Sequence, residues 1–360
     1  MPHKAIICIG FAKTGTTSLH MAFSELSGVR VPLLKKELRY FERQNRSLEG
    51  YLSEFFHKEE EAYSKDAILF ESSPPYSNGS DGEELRELLC RIKAIFPDAL
   101  IILSMRHPVK RAYSNYVHKL HGLALRGYGG HKLAGEARDM NIFHLPYHVS
   151  FHAAMFKDAT LTRSYADAVE AVLDVFGPDQ LVPFYLERDI PGFAAFMGRL
   201  SEQAGANFHT EWGDRGAPKG NMGRELPEYI YASEATEIVC EEGTVKLEAG
   251  DLLAASSFDR FILKGVPKSK ADRLELVQRQ WTKGLTADET ALFMSAFFED
   301  DMRRTIGIME RLGWPTEVLE SYLKPIGPYQ QGLADGSPIK ATPARQLSQI
   351  RTVPVGRAPG

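Results

Sequence analysis

Apolar positions along the chain fall into two kinds of run that alternate. Ala5-Ile6-Ile7-Cys8-Ile9 is continuous, β-branched and without polar alternation, the pattern of a parallel strand buried on both faces. Ala67-Ile68-Leu69-Phe70, Ala99-Leu100-Ile101-Ile102-Leu103 and Leu181-Val182-Pro183-Phe184-Tyr185 repeat it. Between these runs the apolar residues change to helical spacing. Ser18 to Phe23 shows it, as do Leu85, Leu88, Leu89, Ile92 and Ile95 within Glu83 to Phe96, and the amphipathic segment from Tyr165 to Val175. Strands alternating with helices predict an α/β fold, a mostly parallel sheet covered by helices on both faces.

From about Gly213 to Lys283 the pattern changes. Gly, Lys and Glu dominate, with short β-like pieces at Glu237 to Cys240 and Thr244 to Leu247. We read this stretch as a lid-like insertion into a single domain spanning residues 1–326. A helical pattern returns from Asp288 to Leu312, and Trp314-Pro315 opens a last short helix. Gly327 to Gly360 is rich in Pro, Gly, Gln and Ser and is expected to be a disordered tail. No internal repeat is present.

Composition narrows the class. The chain of 360 residues is 43% hydrophobic, enough for a sizeable core, and its formal net charge of −4 gives no global basic field for nucleic acid. The cysteines, Cys8, Cys90 and Cys240, are too scattered for a disulfide framework or a zinc site, and point to a reducing compartment. No apolar run approaches the roughly 20 residues of a membrane span. A cytoplasmic protein is expected.

The first chemical signal is Gly10-Phe11-Ala12-Lys13-Thr14-Gly15-Thr16-Thr17-Ser18, directly after the first strand and opening a helix. A Gly-bearing turn of this kind points backbone N–H groups at an anion, and the helix start adds positive potential. A turn that only caps a helix uses the same residue types. Measured against the triphosphate loop G-x-x-x-x-G-K-[ST], Gly10, Gly15 and Thr17 are in place, but Thr16 stands where the lysine belongs. The cation has moved to Lys13, inside the loop, which argues against an ordinary kinase. A second signal, Arg106-His107-Pro108-Val109-Lys110-Arg111-Ala112-Tyr113-Ser114-Asn115-Tyr116, follows the third buried run, at the strand end where parallel sheets hold ligands. Arg106 can grip a phosphate bidentately, and Ser114, two helical turns on, can donate a hydroxyl.

Together these segments resemble the sulfotransferases that use 3′-phosphoadenosine 5′-phosphosulfate. Gly-x-x-Lys-x-Gly-Thr-Thr-Ser-Leu is similar to that family's 5′-phosphosulfate loop. The resemblance implies a P-loop-type parallel sheet, with Lys13 on the bridging oxygen and sulfuryl group, and Thr14, Gly15, Thr16, Thr17 and Ser18 around the 5′-phosphate. Arg-x-Pro-x-x-Arg-x-x-Ser-x-Tyr is similar to the 3′-phosphate segment, which assigns Arg106 and Ser114 to that phosphate; Arg111 and Tyr116 match but can equally serve packing. The resemblance spans about residues 4–200 and 288–322, and is nearest in motif to the glycosaminoglycan and bacterial branches.

On the acceptor side, Lys35-Lys36-Glu37-Leu38-Arg39-Tyr40-Phe41 resembles the Lys-Glu-x-x-Phe-Phe stretch of the glycosaminoglycan branch, whose glutamate is the base. Glu37 is therefore the first candidate base. His118, one turn beyond Ser114, matches a histidine of the N-sulfating members and could bind the acceptor or act as the alternative base. Glu71-Ser72-Ser73-Pro74-Pro75-Tyr76 resembles Glu-Lys-Thr-Pro-x-Tyr of the same branch, with Ser72 in place of lysine. Lys268 or Lys270 is expected to close over the donor, with Lys219 a further candidate. The implied reaction needs no metal, and its partner is a carbohydrate or small-molecule acceptor carrying a hydroxyl or amine. Two other classes stand beside it: a metal-dependent P-loop kinase using Glu71 as its acidic metal ligand, and a non-catalytic nucleotide- or glycan-binding module.

Overall fold

The computed structural model describes residues 3–43, 46–57, 66–126, 147–218, 285–324, 326, 327 and 329, and five short strands between 228 and 278. The chain divides into two compact units, one of residues 1–115, 155–222 and 286–329, the other of residues 116–154, 223–285 and 330–360.

The first unit is built on a five-stranded sheet: β1 (Ala5–Gly10), β2 (Val29–Arg30), β3 (Ile68–Ser72), β4 (Leu100–Met105) and β5 (Leu181–Tyr185), in the order β2-β3-β1-β4-β5. Every pairing is parallel. β1 lies at the centre, with Ile7 opposite both Glu71 and Ile101. All residues of β1, β3 and β4 are buried, which is why these strands read as unbroken apolar runs. On one face α1 (Thr16–Ser24) and the helices Phe193–Ala204 and Phe208–Trp212 place Leu19, Phe23, Phe196, Leu200 and Trp212 against Ile6, Phe70, Ile102 and Phe184. The Phe23 and Phe70 rings stack with centroids 3.9 Å apart.

α2 (Leu48–Leu52) and α3 (Pro75–Gly79) are short, and α4 (Gly82–Ile95) buries Leu85, Leu88, Leu89 and Ile92, the positions its 3.6-residue period marks. A reciprocal capping box between Asp81 and Glu84 starts it. It packs against the helix Tyr165–Val175. The helical pattern from Asp288 to Leu312 is two helices, Ala287–Phe297 and Glu299–Arg311, because Phe298 leaves helical geometry at φ −131°. The last short helix is Glu317–Tyr322.

In the second unit, β6 (Glu228–Ala232), β9 (Leu252–Ala254) and β10 (Leu274–Gln278) form an antiparallel sheet in the order β10-β6-β9. The β-like pieces of the sequence, here β7 (Thr236–Cys240) and β8 (Gly243–Leu247), pair with each other as a hairpin. Of the expected tail, only Gly327 and Tyr329 are among the described residues. No helix among the described residues is long and apolar enough to cross a membrane.

Candidate active site

The loop between β1 and α1 is shaped by three residues with left-handed backbone: Gly10 at φ 110°, Lys13 at φ 66° and Gly15 at φ 89°. A Cβ on Gly10 would sit 2.7 Å from Pro74 Cα and 2.9 Å from Ser77 Oγ, so α3 approaches the loop closely only because residue 10 is glycine. At Lys13 the same backbone is carried by a residue with a side chain, the kind of local strain that collects at ligand sites. α1 then starts from Gly15 with no side-chain cap and no acidic residue in its first turn. A helix start of that composition favours a bound anion.

Thr14 is fully buried, and its hydroxyl is committed inside the loop: it donates to the Phe11 carbonyl at 2.5 Å and shares a hydrogen bond with Ser104 Oγ at 2.6 Å. It therefore pins the loop to β4. Thr16 and Ser18 are buried at the helix start, with Thr17 half-buried between them. Ser72, which stands where the resembling family has lysine, donates to the Thr16 carbonyl at 3.4 Å.

The second motif begins after β4 and continues into α5 (Pro108–Arg126). Arg106 connects it physically to the first, since its Nη1 donates to the Lys13 carbonyl at 3.2 Å. Its Nη2 donates to the Tyr329 hydroxyl at 2.8 Å, and its Nε lies 3.8 Å from Glu187. Ser114 is 1% exposed, and its hydroxyl is buried without a hydrogen-bond partner. Buried hydroxyls are nearly always paired, so this one fits a site that receives an acceptor from a ligand. Arg111 is different. It donates to the Leu161 and Arg163 carbonyls and to Asn78 Oδ1, and its guanidinium lies 4.7 Å from the Phe11 ring centroid. Asn78 Oδ1 also accepts from Ala12 N at 3.4 Å, so Arg111 braces the loop from behind. Tyr116, in the second unit, packs its ring 5.3 Å from Phe151. His107 has both ring nitrogens buried without partners; burial, helped by Lys110 and Arg106, pushes its pKa down to about 3, so it is neutral at pH 7.

Beside the start of α1 the structure brings in a residue that had no assigned role. Lys36 Nζ lies 3.2 Å from Thr16 Oγ1 and 3.3 Å from the Glu37 carboxylate. Glu37, with 43% of its side chain exposed, is thus linked through one ammonium to the start of α1. His20, one turn beyond Thr16, has its pKa lowered to about 4 by burial and by the nearby Lys36. Behind this segment lies Glu71, fully buried and accepting hydrogen bonds from Tyr51, Ser73 and Tyr76 at 2.7–2.8 Å. Burial pushes the Glu71 pKa up, and the hydroxyls of Tyr76, Ser73 and Tyr51 oppose that shift. Ser73 Oγ in turn accepts from Arg39 N at 3.1 Å, and the Tyr76 hydroxyl from Phe41 N at 3.2 Å. Glu71 therefore clamps the backbone two and four residues beyond Glu37, an internal duty unlike that of a metal ligand.

His118 is exposed and belongs to the second unit. Lys219, Lys268 and Lys270 lie outside the described residues. Among the described residues no group of three or more His, Cys, Asp or Glu is placed to hold a metal ion. Sequence reasoning missed Lys36, Glu187 and Tyr329. For Lys36 a signal existed, the charged stretch itself, but which of two adjacent lysines turns inward depends on backbone geometry. Tyr329 joins Arg106 across 223 residues, which no local pattern can show.

No family model matches the chain, and no curated protein matches it. Among solved structures it is similar to a sulfotransferase from Alicyclobacillus acidocaldarius, at 21% identity and a TM-score of 0.42, over 61% of this chain and 84% of that one. It is also similar to the sulfotransferase domain of the Synechococcus PCC 7002 olefin synthase, at 13% identity and a TM-score of 0.37, over 60% and 82% of the two chains. A third is mouse sulfotransferase SULT7A1 complexed with PAP, at 12% identity and a TM-score of 0.33, over 57% and 60%.

Proposed function

We propose that this protein transfers a sulfuryl group from 3′-phosphoadenosine 5′-phosphosulfate to a hydroxyl or amine of a carbohydrate or small-molecule acceptor. The observation that carries the proposal is the Arg106 side chain hydrogen-bonded to the Lys13 carbonyl. It joins a phosphate loop with a displaced lysine to a second basic element whose buried Ser114 hydroxyl has no protein partner. Two anion-binding elements locked side by side suit a nucleotide with phosphate at both the 5′ and 3′ positions.

In this assignment the acceptor oxygen or nitrogen attacks sulfur in line as the bond from sulfur to the bridging oxygen breaks. Glu37 takes the acceptor's proton, and Lys13 stabilises the negative charge growing on the leaving 5′-phosphate oxygen. Lys36, between Thr16 and Glu37, holds the base beside the loop and keeps its carboxylate paired. The work is positioning and charge stabilisation, as in phosphoryl transfer. The kinase alternative needs Glu71 as a metal ligand, and that carboxylate is enclosed by three hydroxyl donors.

Incubation with the sulfur-labelled donor and a panel of sugars, phenols, lipids and amines tests the proposal. Label should pass to at least one acceptor class at an undiminished rate in excess EDTA. Phosphoryl transfer from ATP that depends on added magnesium, with no sulfuryl transfer, would contradict it.

A further inference from the structure

After its last helix the chain passes Thr290, whose hydroxyl donates to the Ala287 carbonyl at 2.7 Å and also lies 3.1 Å from the Ile326 carbonyl. Three residues further on, Tyr329 reaches the start of α5. Its ring centroid lies 5.8 Å from the Arg106 guanidinium carbon, 5.6 Å from Lys110 Nζ and 5.8 Å from the Tyr113 ring. Lys110, Tyr113 and Ser114 share one face of α5 by helical spacing, and Arg106 stands one turn before Lys110. One phenol therefore covers two cations of the second motif, Arg106 and Lys110.

The guanidinium geometry sharpens the point. Arginine offers an anion two paired edges, Nε with Nη2 and Nη1 with Nη2. The Tyr329 hydroxyl is bonded to Nη2, which both edges share, and Nη1 holds the Lys13 carbonyl; Nε, 3.8 Å from Glu187, is buried without a hydrogen-bond partner. An anion that grips Arg106 by either edge uses Nη2 and so comes up against the phenol bonded there. Glu187 is fixed by the Tyr322 hydroxyl at 2.7 Å, and the Lys13 carbonyl is part of the loop, which leaves the Tyr329 side chain as the neighbour that can give way. Burial raises the pKa of its phenol, so at neutral pH it presents a neutral oxygen where a phosphate would bring a dianion.

We propose that Tyr329 is a resident competitor for the 3′-phosphate position, a phenol that occupies the Arg106–Lys110 face and has to turn away when the nucleotide binds. The proposal rests on the assignment of that face to the 3′-phosphate. It makes affinity for the 3′-phosphorylated nucleotide an adjustable quantity: the apparent dissociation constant is the intrinsic one divided by the fraction of time the phenol spends off the site. A nucleotide without a 3′-phosphate has no use for that face and leaves the phenol in place.

Calorimetric titration of the full-length wild type, Tyr329→Ala and Tyr329→Phe with adenosine 3′,5′-bisphosphate and with 5′-AMP tests this. Tyr329→Ala should bind the bisphosphate about 3- to 30-fold more tightly, the range expected for removing one phenol–cation contact and its hydrogen bond. Its affinity for 5′-AMP should not change. Tyr329→Phe, which keeps the ring over the cations and loses the hydroxyl, should fall between wild type and Tyr329→Ala. Weaker or unchanged bisphosphate binding by Tyr329→Ala, with normal binding by the wild type, overturns the competitor and leaves the donor assignment standing. Absence of bisphosphate binding in all three proteins, each folded by circular dichroism, overturns the donor assignment and the competitor with it.

Discussion

Lys13→Ala lowers turnover by about 10²-fold or more, the scale seen when a donor that serves the transition state is removed. The ammonium is assigned to charge that develops only as the bridging bond breaks, so its loss falls mainly on kcat. A smaller loss of donor affinity accompanies it, because the same group touches the bound donor. Alanine is the right replacement here. Lys13 has a left-handed backbone at φ 66°, and alanine keeps the Cβ and hence the same strain, whereas glycine would relax the loop and confuse the result. The Lys13 carbonyl that holds Arg106 is also retained. Single-turnover kinetics with saturating donor separate the two effects, and a Lys13→Ala variant that turns over normally would remove the phosphosulfate loop from the account.

Glu37→Gln lowers turnover by about 10²- to 10⁴-fold, the usual contribution of a general base, with donor binding nearly unchanged. Glutamine keeps the length and can still accept from Lys36, now 3.3 Å from the carboxylate, so the geometry of the segment survives while the proton acceptor is lost. The Glu71 clamp on Arg39 N and Phe41 N does not involve the substituted side chain. His118→Ala is the comparison that decides between the two candidate bases, and it should retain most of the activity. Normal turnover in Glu37→Gln together with an inactive His118→Ala would move the base to His118 and leave the donor site intact.

The central sheet was legible because its strands are covered on both faces, which leaves continuous apolar runs at Ala5, Ile68, Leu100 and Leu181. β2 was not, since two residues carry no period. Nor was the break at Phe298, a residue whose apolar side chain fits the helical pattern on both sides. In the site, Lys13, Arg106 and Ser114 stood out because loop chemistry and helical spacing are local. What Thr14 does with its hydroxyl depends on Ser104, ninety residues away, and the clamp from Glu71 to Arg39 and Phe41 is assembled from segments that approach only in the fold. Glu71 ends a buried strand and reads as an acid ready for a metal; the surrounding hydroxyls of Tyr51, Ser73 and Tyr76 give it another task. Local motifs carry the chemistry of the loop and of the helix start, and long-range contacts determine which side chains stand beside them.

The central claim is that one surface recognises phosphate at both ends of the donor. Its most direct measurement is equilibrium binding of adenosine 3′,5′-bisphosphate and of 5′-AMP to the wild type and to Arg106→Ala. The wild type should bind the bisphosphate clearly more tightly than 5′-AMP. Arg106→Ala should lose most of that difference, a cost of about 2 kcal/mol or more for a charged partner removed from a largely buried site. Equal affinity of the wild type for the two nucleotides would contradict the account.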